Sequence, residues 1–292
     1  MNRILVIGAS GNVGGKVVSQ LPDAGVEVRA LVRNPDAARL PARVEVVRGD
    51  LTAPETLDRA LDGVDSVFLV WTAPAAAFAA AFEKIAKYAR RIVFLSAPLK
   101  TPHPFFQQPN PARALAEEIE RSIEASGMQR TFLRPGMFAS DSLGWWRRQI
   151  RSGDVVRWPF LSVPTAPIDE RDIAAVGVLA LCEDGHAGAE YVITGPDALT
   201  MGEQIGIIGE ALGRRLRSEE ISPEDARKEL AALMPVPVVK LLCDAWAAAA
   251  GHPAWMTSTV EEITGRPARK FRDWARDYAA EFQAEGAMTL PG

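Results

Sequence analysis

Gly8, Gly11 and Gly14 stand three apart in the stretch Ile4-Leu5-Val6-Ile7-Gly8-Ala9-Ser10-Gly11-Asn12-Val13-Gly14-Gly15 of a 292-residue chain. Glycines at this spacing let the backbone bend sharply and approach a bulky group closely, because no Cβ intervenes. The chemistry such a turn serves is pyrophosphate binding. A helix starting there offers N–H groups without intrahelical partners and the positive end of its dipole. Ser10, Asn12 and Val13 complete the loop as candidate phosphate contacts. The spacing is G-x-x-G-x-x-G rather than G-x-G-x-x-G, so the reading depends on a strand before the loop and a helix after it. The bland alternative is a tight strand–helix turn with no ligand.

Further candidates follow at what read as strand ends. Arg33 comes just after Val26 to Val32, with no Asp or Glu at that strand end. An acidic residue there would hydrogen-bond the 2′-hydroxyl of NAD, whereas an arginine can pair with the 2′-phosphate of NADP. Arg33 therefore favours NADP(H) over NAD(H). Asp50 and Leu51 follow the next strand, where a carboxylate can accept from an adenine amino group or simply make a turn. Leu69, Val70 and Trp71 close the fourth strand and Ser96 the fifth, on the edge where open α/β sheets bind ligands. Ser96 could donate to a substrate carbonyl or satisfy a turn. His103, in Thr101-Pro102-His103-Pro104, could donate a proton, since His titrates near neutrality, or could be a loop histidine facing solvent.

The elements that must position these groups alternate. Strand patterns fall at 26–32, 43–47, 66–70, 91–95 and 129–133, after the first at 4–7. Helical spacing appears at Val13, Val17 and Leu21, over 55–61, over 75–90 with Phe78, Phe82, Ile85 and Ala89 on one face, and over 113–125. Such alternation predicts a doubly wound parallel sheet, an α/β Rossmann-like fold. The pattern changes after Phe138. Residues 1–138 read as the nucleotide-binding domain, with a strand at 189–194 returning to the sheet. Residues 139–292 read as a small, mainly helical substrate lobe, with helices at 172–181, 223–233, 238–250 and 269–282. Phe138, Trp145, Trp146, Trp158 and Phe160 suit an aromatic substrate wall or the core of the junction equally well. Trp71, Phe138, Trp145 and Trp146 are the residues assigned to the pocket.

Composition narrows the partners. Net charge is −4 and no basic block occurs, which argues against nucleic acid. The Ala-rich run at 73–81 is too short to span a bilayer, so no membrane partner is expected. Cys182 and Cys243 form no disulfide framework, and with the three histidines they show no metal-ligand spacing. Met1-Asn2-Arg3 runs straight into the first strand, so a cytoplasmic location is expected. The expected partner is a small-molecule substrate, handled by a monomer or a homodimer.

The ordered set Gly8-x-x-Gly11-x-x-Gly14, Arg33-Asn34-Pro35, Gly49-Asp50-Leu51, Ser96, Ser126-Gly127, Leu133-Arg134-Pro135-Gly136-x-Phe138, Asp172-Ile173-Ala174 and Tyr191-x-x-Thr194-Gly195-Pro196 resembles the atypical short-chain dehydrogenases/reductases. Within them it is similar to the NmrA-like, NAD(P)H-binding branch that includes quinone and azo-dye reductase-like proteins. The resemblance runs from residue 3 to about 282. It implies a pocket between domain and lobe, with Pro135 in the turn facing the nicotinamide. One departure is informative. Most short-chain dehydrogenases carry a Tyr and, four residues on, a Lys on the helix before the sixth strand. Here that helix has Ala112 and Ala116 near those positions, and neither residue type. Hydride delivery to a quinonoid, aromatic or imine acceptor, with protons from water, is compatible with this. So is a nucleotide-sensing regulator that binds NADP(H) without turnover. A sugar-nucleotide epimerase fits less well, because that chemistry uses the missing tyrosine. Glu120, in the same helix, is the acidic residue expected to reach the pocket.

Overall fold

Ile4, Leu5 and Val6 are fully buried in strand β1 (Arg3–Ile7), as a strand covered on both faces requires. The computed structural model describes residues 3–232 and 234–283; Leu233 and residues 284–292, with the parts of the expected helix and lobe that fall there, lie outside the described residues. From β1 the chain alternates through α1 (Asn12–Gln20), β2 (Glu27–Val32), β3 (Glu45–Arg48), α2 (Asp58–Leu61), β4 (Ser66–Leu69), α3 (Phe78–Tyr88), β5 (Arg91–Leu95), α4 (Pro111–Ala125) and β6 (Gln129–Pro135). The third strand starts two residues later than its apolar pattern suggests, because the Val44 N–H closes a turn onto the Pro41 carbonyl.

Beyond β6 come α5 (Asp141–Ser152), β7 (Val155–Trp158), β8 (Pro164–Thr165), α6 (Glu170–Cys182), β9 (Glu190–Ile193), β10 (Leu199–Thr200), α7 (Met201–Ala211), β11 (Arg217–Glu220), α8 (Pro223–Leu230), α9 (Val236–Ala249), α10 (Thr259–Thr264), α11 (Phe271–Asp277) and α12 (Ala279–Gln283). The main sheet has seven strands in the order β3-β2-β1-β4-β5-β6-β9, all parallel. This is a Rossmann-like doubly wound sheet. Its order reverses between β1 and β4, the switch point outside whose carboxyl ends such folds bind ligands.

Two apolar layers sandwich the sheet. On one face α1 and α6 bury Val13, Val17, Ile173 and Val176. On the other, α2, α3 and α4 bury Leu61, Phe78, Ile85 and Ile119. Helix α6 and β9 both return to this body. Gly177 lets α6 lie against the sheet, where an added Cβ would meet Phe68 Cε2 at 2.8 Å.

The remainder forms a lobe with its own core. Trp145, Trp146, Trp158 and Trp246 pack with ring centroids 5.3–5.8 Å apart. Its last helices strap back onto the sheet layer, where Arg269 pairs with Asp172 and Asp277 with Arg171. Among the described residues no helix is long and apolar enough to cross a membrane.

Candidate functional site

The glycine loop bridges the switch point. Gly8 has φ +84°, and a Cβ on it would lie 2.7 Å from the Val70 Cβ after β4. A Cβ on Gly14 would lie 2.1 Å from the Gly8 carbonyl oxygen, so α1 starts hard against the end of β1. The Gly11 N–H closes the turn onto that same oxygen at 3.0 Å. Gly11 caps α1 without a side-chain acceptor, and the first turn holds no acidic residue. The N–H groups of Asn12, Val13 and Gly14 are therefore unpaired donors at the positive end of a nine-residue helix. Ser10 is exposed beside them. This cradle fits a pyrophosphate sterically and electrostatically.

Arg33 is exposed after β2, and among the described residues it makes no ion pair or hydrogen bond. The neighbouring Asn34 is spent accepting the Asp36 N–H. Asp50 accepts the Thr52 N–H at 2.9 Å and its hydroxyl at 2.8 Å, both through Oδ1. These bonds, and more weakly the Arg33 charge, hold its carboxyl below the usual range. Asp50 thus makes the turn and keeps Oδ2 for a ligand. Leu51 and Leu69 are buried in the sheet's core, so only their backbones can meet a cofactor. Val70 and Trp71 are partly buried at the switch point, and the Trp71 ring packs edge-on against Phe78 at 5.2 Å.

At the ends of β5 and β6 the polar groups form a closed chain. The Ser96 hydroxyl donates to Glu120 Oε1 at 2.6 Å. Arg134 donates from Nε to Oε1 at 2.9 Å and from Nη2 to Oε2 at 2.6 Å, a two-pronged pair. Its Nη1 reaches Glu190, which Lys100 also holds. Glu120 is 6% and Arg134 2% exposed, so Glu120 turns into this pair rather than toward a substrate. Ser96 has committed its proton to a carboxylate that Arg134 holds in this two-pronged pair. It can accept from a ligand but is not placed to donate to a carbonyl. Pro135 is buried beside it.

His103 is also committed on both sides. Its Nδ1 accepts the Phe105 N–H at 3.3 Å, so Nε2 carries the proton and donates to the Pro253 carbonyl at 3.0 Å. Burial, aided by the neighbouring His252, holds its pKa below the ordinary value. A buried, neutral histidine with both nitrogens engaged is a clasp between two segments, neither the free proton donor nor the solvent-facing loop histidine that its sequence context allows. It borders a cleft at the end of β6 lined also by Phe105, Phe106, Met137, Thr194 and Trp255. Of the aromatic residues assigned to the pocket from sequence, Trp146 is 0% exposed and Trp145 8%, both locked in the tryptophan core. They are core because the lobe is small and needs large rings to fill it. Phe138 is partly buried between the sheet's core and Ile168. A second groove, near Arg148, Asp154 and Glu229, takes no lining residue from the sheet or the glycine loop.

Two carboxylates link the loop to the lobe. Asn12 donates to Ser140 at 3.2 Å, and the Ser140 N–H donates to the buried Glu170 at 3.0 Å. Asp141 turns back to accept the Phe138 N–H at 3.0 Å. Burial, with help from Glu170, pushes Asp141 from 3.8 up to about 7. An acid whose folded pKa is raised is deprotonated first in the unfolded state, so its contribution to stability falls as pH rises from about 4 to about 7. Asp141→Asn should therefore gain on wild type by about 1–2 kcal/mol more at pH ~8 than at pH ~5. Urea unfolding at the two pH values checks this, and an equal gap at both would contradict it.

Sequence reasoning missed Trp255, Phe106 and Asp141. Trp255 sits in an irregular stretch between α9 and α10, where no periodicity marks it. Asp141 opens α5, whose buried positions Ser142, Trp145, Trp146 and Ile150 follow helical spacing that the surrounding aromatic and proline residues obscure.

A model of the NmrA-like family matches residues 1–275. A (4-alkanoyl-5-oxo-2,5-dihydrofuran-3-yl)methyl phosphate reductase of Streptomyces griseus subsp. griseus is 40% identical, with 97% of this chain and 100% of that protein covered. An NAD(P)H azoreductase of Xenophilus azovorans is 35% identical, with 96% and 99% covered. An NADPH-dependent quinone oxidoreductase from Escherichia coli superposes with a TM-score of 0.78 at 21% identity, covering 94% of this chain and 98% of that one. At that identity the last likeness is one of fold.

Proposed function

The chain belongs to the NmrA-like family, and from that premise we propose that it is an NADP(H)-dependent reductase, transferring hydride to a small conjugated acceptor, aromatic or quinonoid, in a reducing cytoplasm. The observation that carries the reading is the glycine cradle with unpaired helix N–H groups, together with the free Arg33 guanidinium beside the anchored Asp50. The cradle would hold the pyrophosphate, Arg33 the 2′-phosphate and Asp50 Oδ2 the adenine end. Val70, Trp71 and Ser96 would border the ribose and nicotinamide. The nicotinamide supplies the hydride.

No tyrosine of this chain is placed as a proton donor on α4. Tyr88 is bound to Asp58, Tyr191 to His186, and Tyr278 stacks on Trp274. A conjugated acceptor removes the need for one. The electron pair displaced by hydride spreads over the π-system, and water can protonate the resulting anion. The protein's part is to orient the two reactants and exclude bulk water. The names of the two curated relatives, a butenolide-type phosphate reductase and an azoreductase, both describe reduction of a conjugated unsaturated group and support this reading.

Arg33→Ala tests the nucleotide preference. Losing a charge-assisted pair should weaken NADPH binding about tenfold or more and leave NADH binding nearly unchanged. Titration of each nucleotide into the two proteins reads this directly. An equal loss for both would remove Arg33 as the selector.

A further inference from the structure

Three helices begin in one polar cluster beside the glycine cradle. The Asn12 side-chain amide, in the first turn of α1, donates to the Ser140 hydroxyl at 3.2 Å. Ser140 precedes α5, and its N–H donates at 3.0 Å to Glu170, the first residue of α6. Asp141 opens α5 and accepts the Phe138 N–H at 3.0 Å. The first turns of α5 and α6 thus carry carboxylates, which the helix dipoles favour in their charged form. The first turn of α1 carries none and is left for the pyrophosphate.

Asp141 and Glu170 have no cation. Glu170 is 2% exposed and Asp141 partly buried, and among the described residues neither makes an ion pair. The charges on the surrounding elements are engaged elsewhere. On α6, Arg171 holds Asp169 and Asp277, and Asp172 pairs with Arg269. On α1, Lys16 lies over the Tyr278 ring, 5.4 Å from its centroid. Arg147, Arg148 and Arg151 come more than a turn after Asp141 on α5, and Arg151 turns to the Glu281 carbonyl of α12. Arg157 of β7 pairs with Glu229, Arg91 of β5 with Asp184 and Arg134 of β6 with Glu120. On α10, Glu261 and Glu262 are exposed. Buried carboxylates are ordinarily paired. Here burial raises the pKa of both, and the Glu170 charge raises Asp141 further.

Resting on the NADP(H) reading above, we infer that binding of the dinucleotide's pyrophosphate at the cradle is coupled to uptake of a proton by the Asp141–Glu170 pair, which the Ser140–Asn12 link holds beside it. The pyrophosphate brings negative charge to the first turn of α1. A like charge nearby disfavours the ionised form of a carboxylate. No free cation stands between to absorb the repulsion, so a proton from solvent does. One carboxylate becomes a neutral acid, and no bond of the nucleotide is made or broken. A bound state that holds more protons than the free state binds more weakly as pH rises. The dinucleotide is therefore held most tightly below neutrality and more loosely as pH climbs through the titration of the pair. The linkage acts on affinity alone and leaves the hydride step of a bound nucleotide untouched.

Calorimetric titration of NADP⁺ at pH ~7.5, in buffers of different ionisation enthalpy, counts the protons exchanged on binding. The 2′-phosphate also titrates near neutrality and loses protons on pairing, so the wild type is compared with Asp141→Asn/Glu170→Gln. The wild type should take up about half a proton more than the double variant. Its NADP⁺ affinity should fall about tenfold more than the variant's between pH ~6 and pH ~9, as a shift of about one pKa unit requires. Equal proton counts in the two proteins overturn the inference and leave the NADP(H) reading intact. A wild type that does not bind NADP⁺ removes both. If the double variant fails to fold, infrared difference spectra of the wild type decide. Adding NADP⁺ should bring up the C=O band of a protonated carboxyl group, and no such band overturns the inference.

Discussion

Gly14→Ala should lose NADPH binding while Gly15→Ala, one residue on, keeps it. The added methyl at 14 would sit 2.1 Å from the Gly8 oxygen and 2.7 Å from the Gly8 carbonyl carbon, both backbone atoms. Neither can swing aside as a side chain would. The clash is relieved only if α1 moves away from the end of β1, which pulls the unpaired N–H groups of its first turn off the phosphates. Overpacking of this kind costs about 1–3 kcal/mol. If the full amount is felt at the binding loop, affinity falls by roughly a hundredfold. At Gly15 the nearest atom to an added Cβ is the Ala9 oxygen at 3.5 Å, an ordinary contact. Alanine there should raise stability by about 0.5–1 kcal/mol, since glycine is costly inside a helix. Thermal melts with and without NADPH compare the two variants. A Gly14→Ala protein stabilised by NADPH as strongly as wild type would show that the cradle is not the nucleotide site.

Arg134→Met should be among the most damaging single changes to stability. Among the described residues, it leaves Glu120 buried in the β5–β6–α4 angle with only the Ser96 hydroxyl for a partner. Removing one member of a buried ion pair costs about 3–5 kcal/mol, because the remaining charge stays desolvated and uncompensated. The double variant Glu120→Leu/Arg134→Met should recover most of that loss, since apolar replacement of a whole buried pair is often close to neutral. Glu190 keeps Lys100 and its partial exposure, so it is not stranded by the change. Denaturant midpoints of the single and double variants test the coupling. A single variant within about 1 kcal/mol of wild type, or a double variant as unstable as the single, would mean the pair is not acting as a buried unit.

The sheet was legible in the sequence because strands buried on both faces are written as unbroken apolar runs, as in Ile4 to Ile7 and Val67 to Leu69. The glycine cradle was legible because contacts shorter than any Cβ allows force the residue type at Gly8 and Gly14. The Glu120–Arg134 pair was not, since it joins a helix to a strand and no local pattern records which way a guanidinium turns. Trp145 and Trp146 show a different limit. Large rings fill a small core and line a pocket with the same residue type, and only burial separates the two. His103 carried the right chemistry for a proton donor, but its role depends on two backbone partners, one of them 150 residues away. Trp255 went unread because it lies in an irregular stretch between α9 and α10, where no periodicity marks a ring that borders a cleft.

The central claim is that this chain holds NADPH in the glycine cradle and passes its hydride to a conjugated acceptor without a protein proton donor. A single turnover with NADPH deuterated on the transferable C4 position, run with a quinone in ordinary water, tests it most directly. The account predicts loss of the reduced-nicotinamide absorbance, quinol formation and deuterium leaving the nucleotide. It also predicts a rate nearly independent of pH across the neutral range, because no side chain has to give up a proton. Stoichiometric binding of NADPH with no oxidation of it by any quinone, azo or imine acceptor would contradict the account and leave a nucleotide-binding protein without turnover.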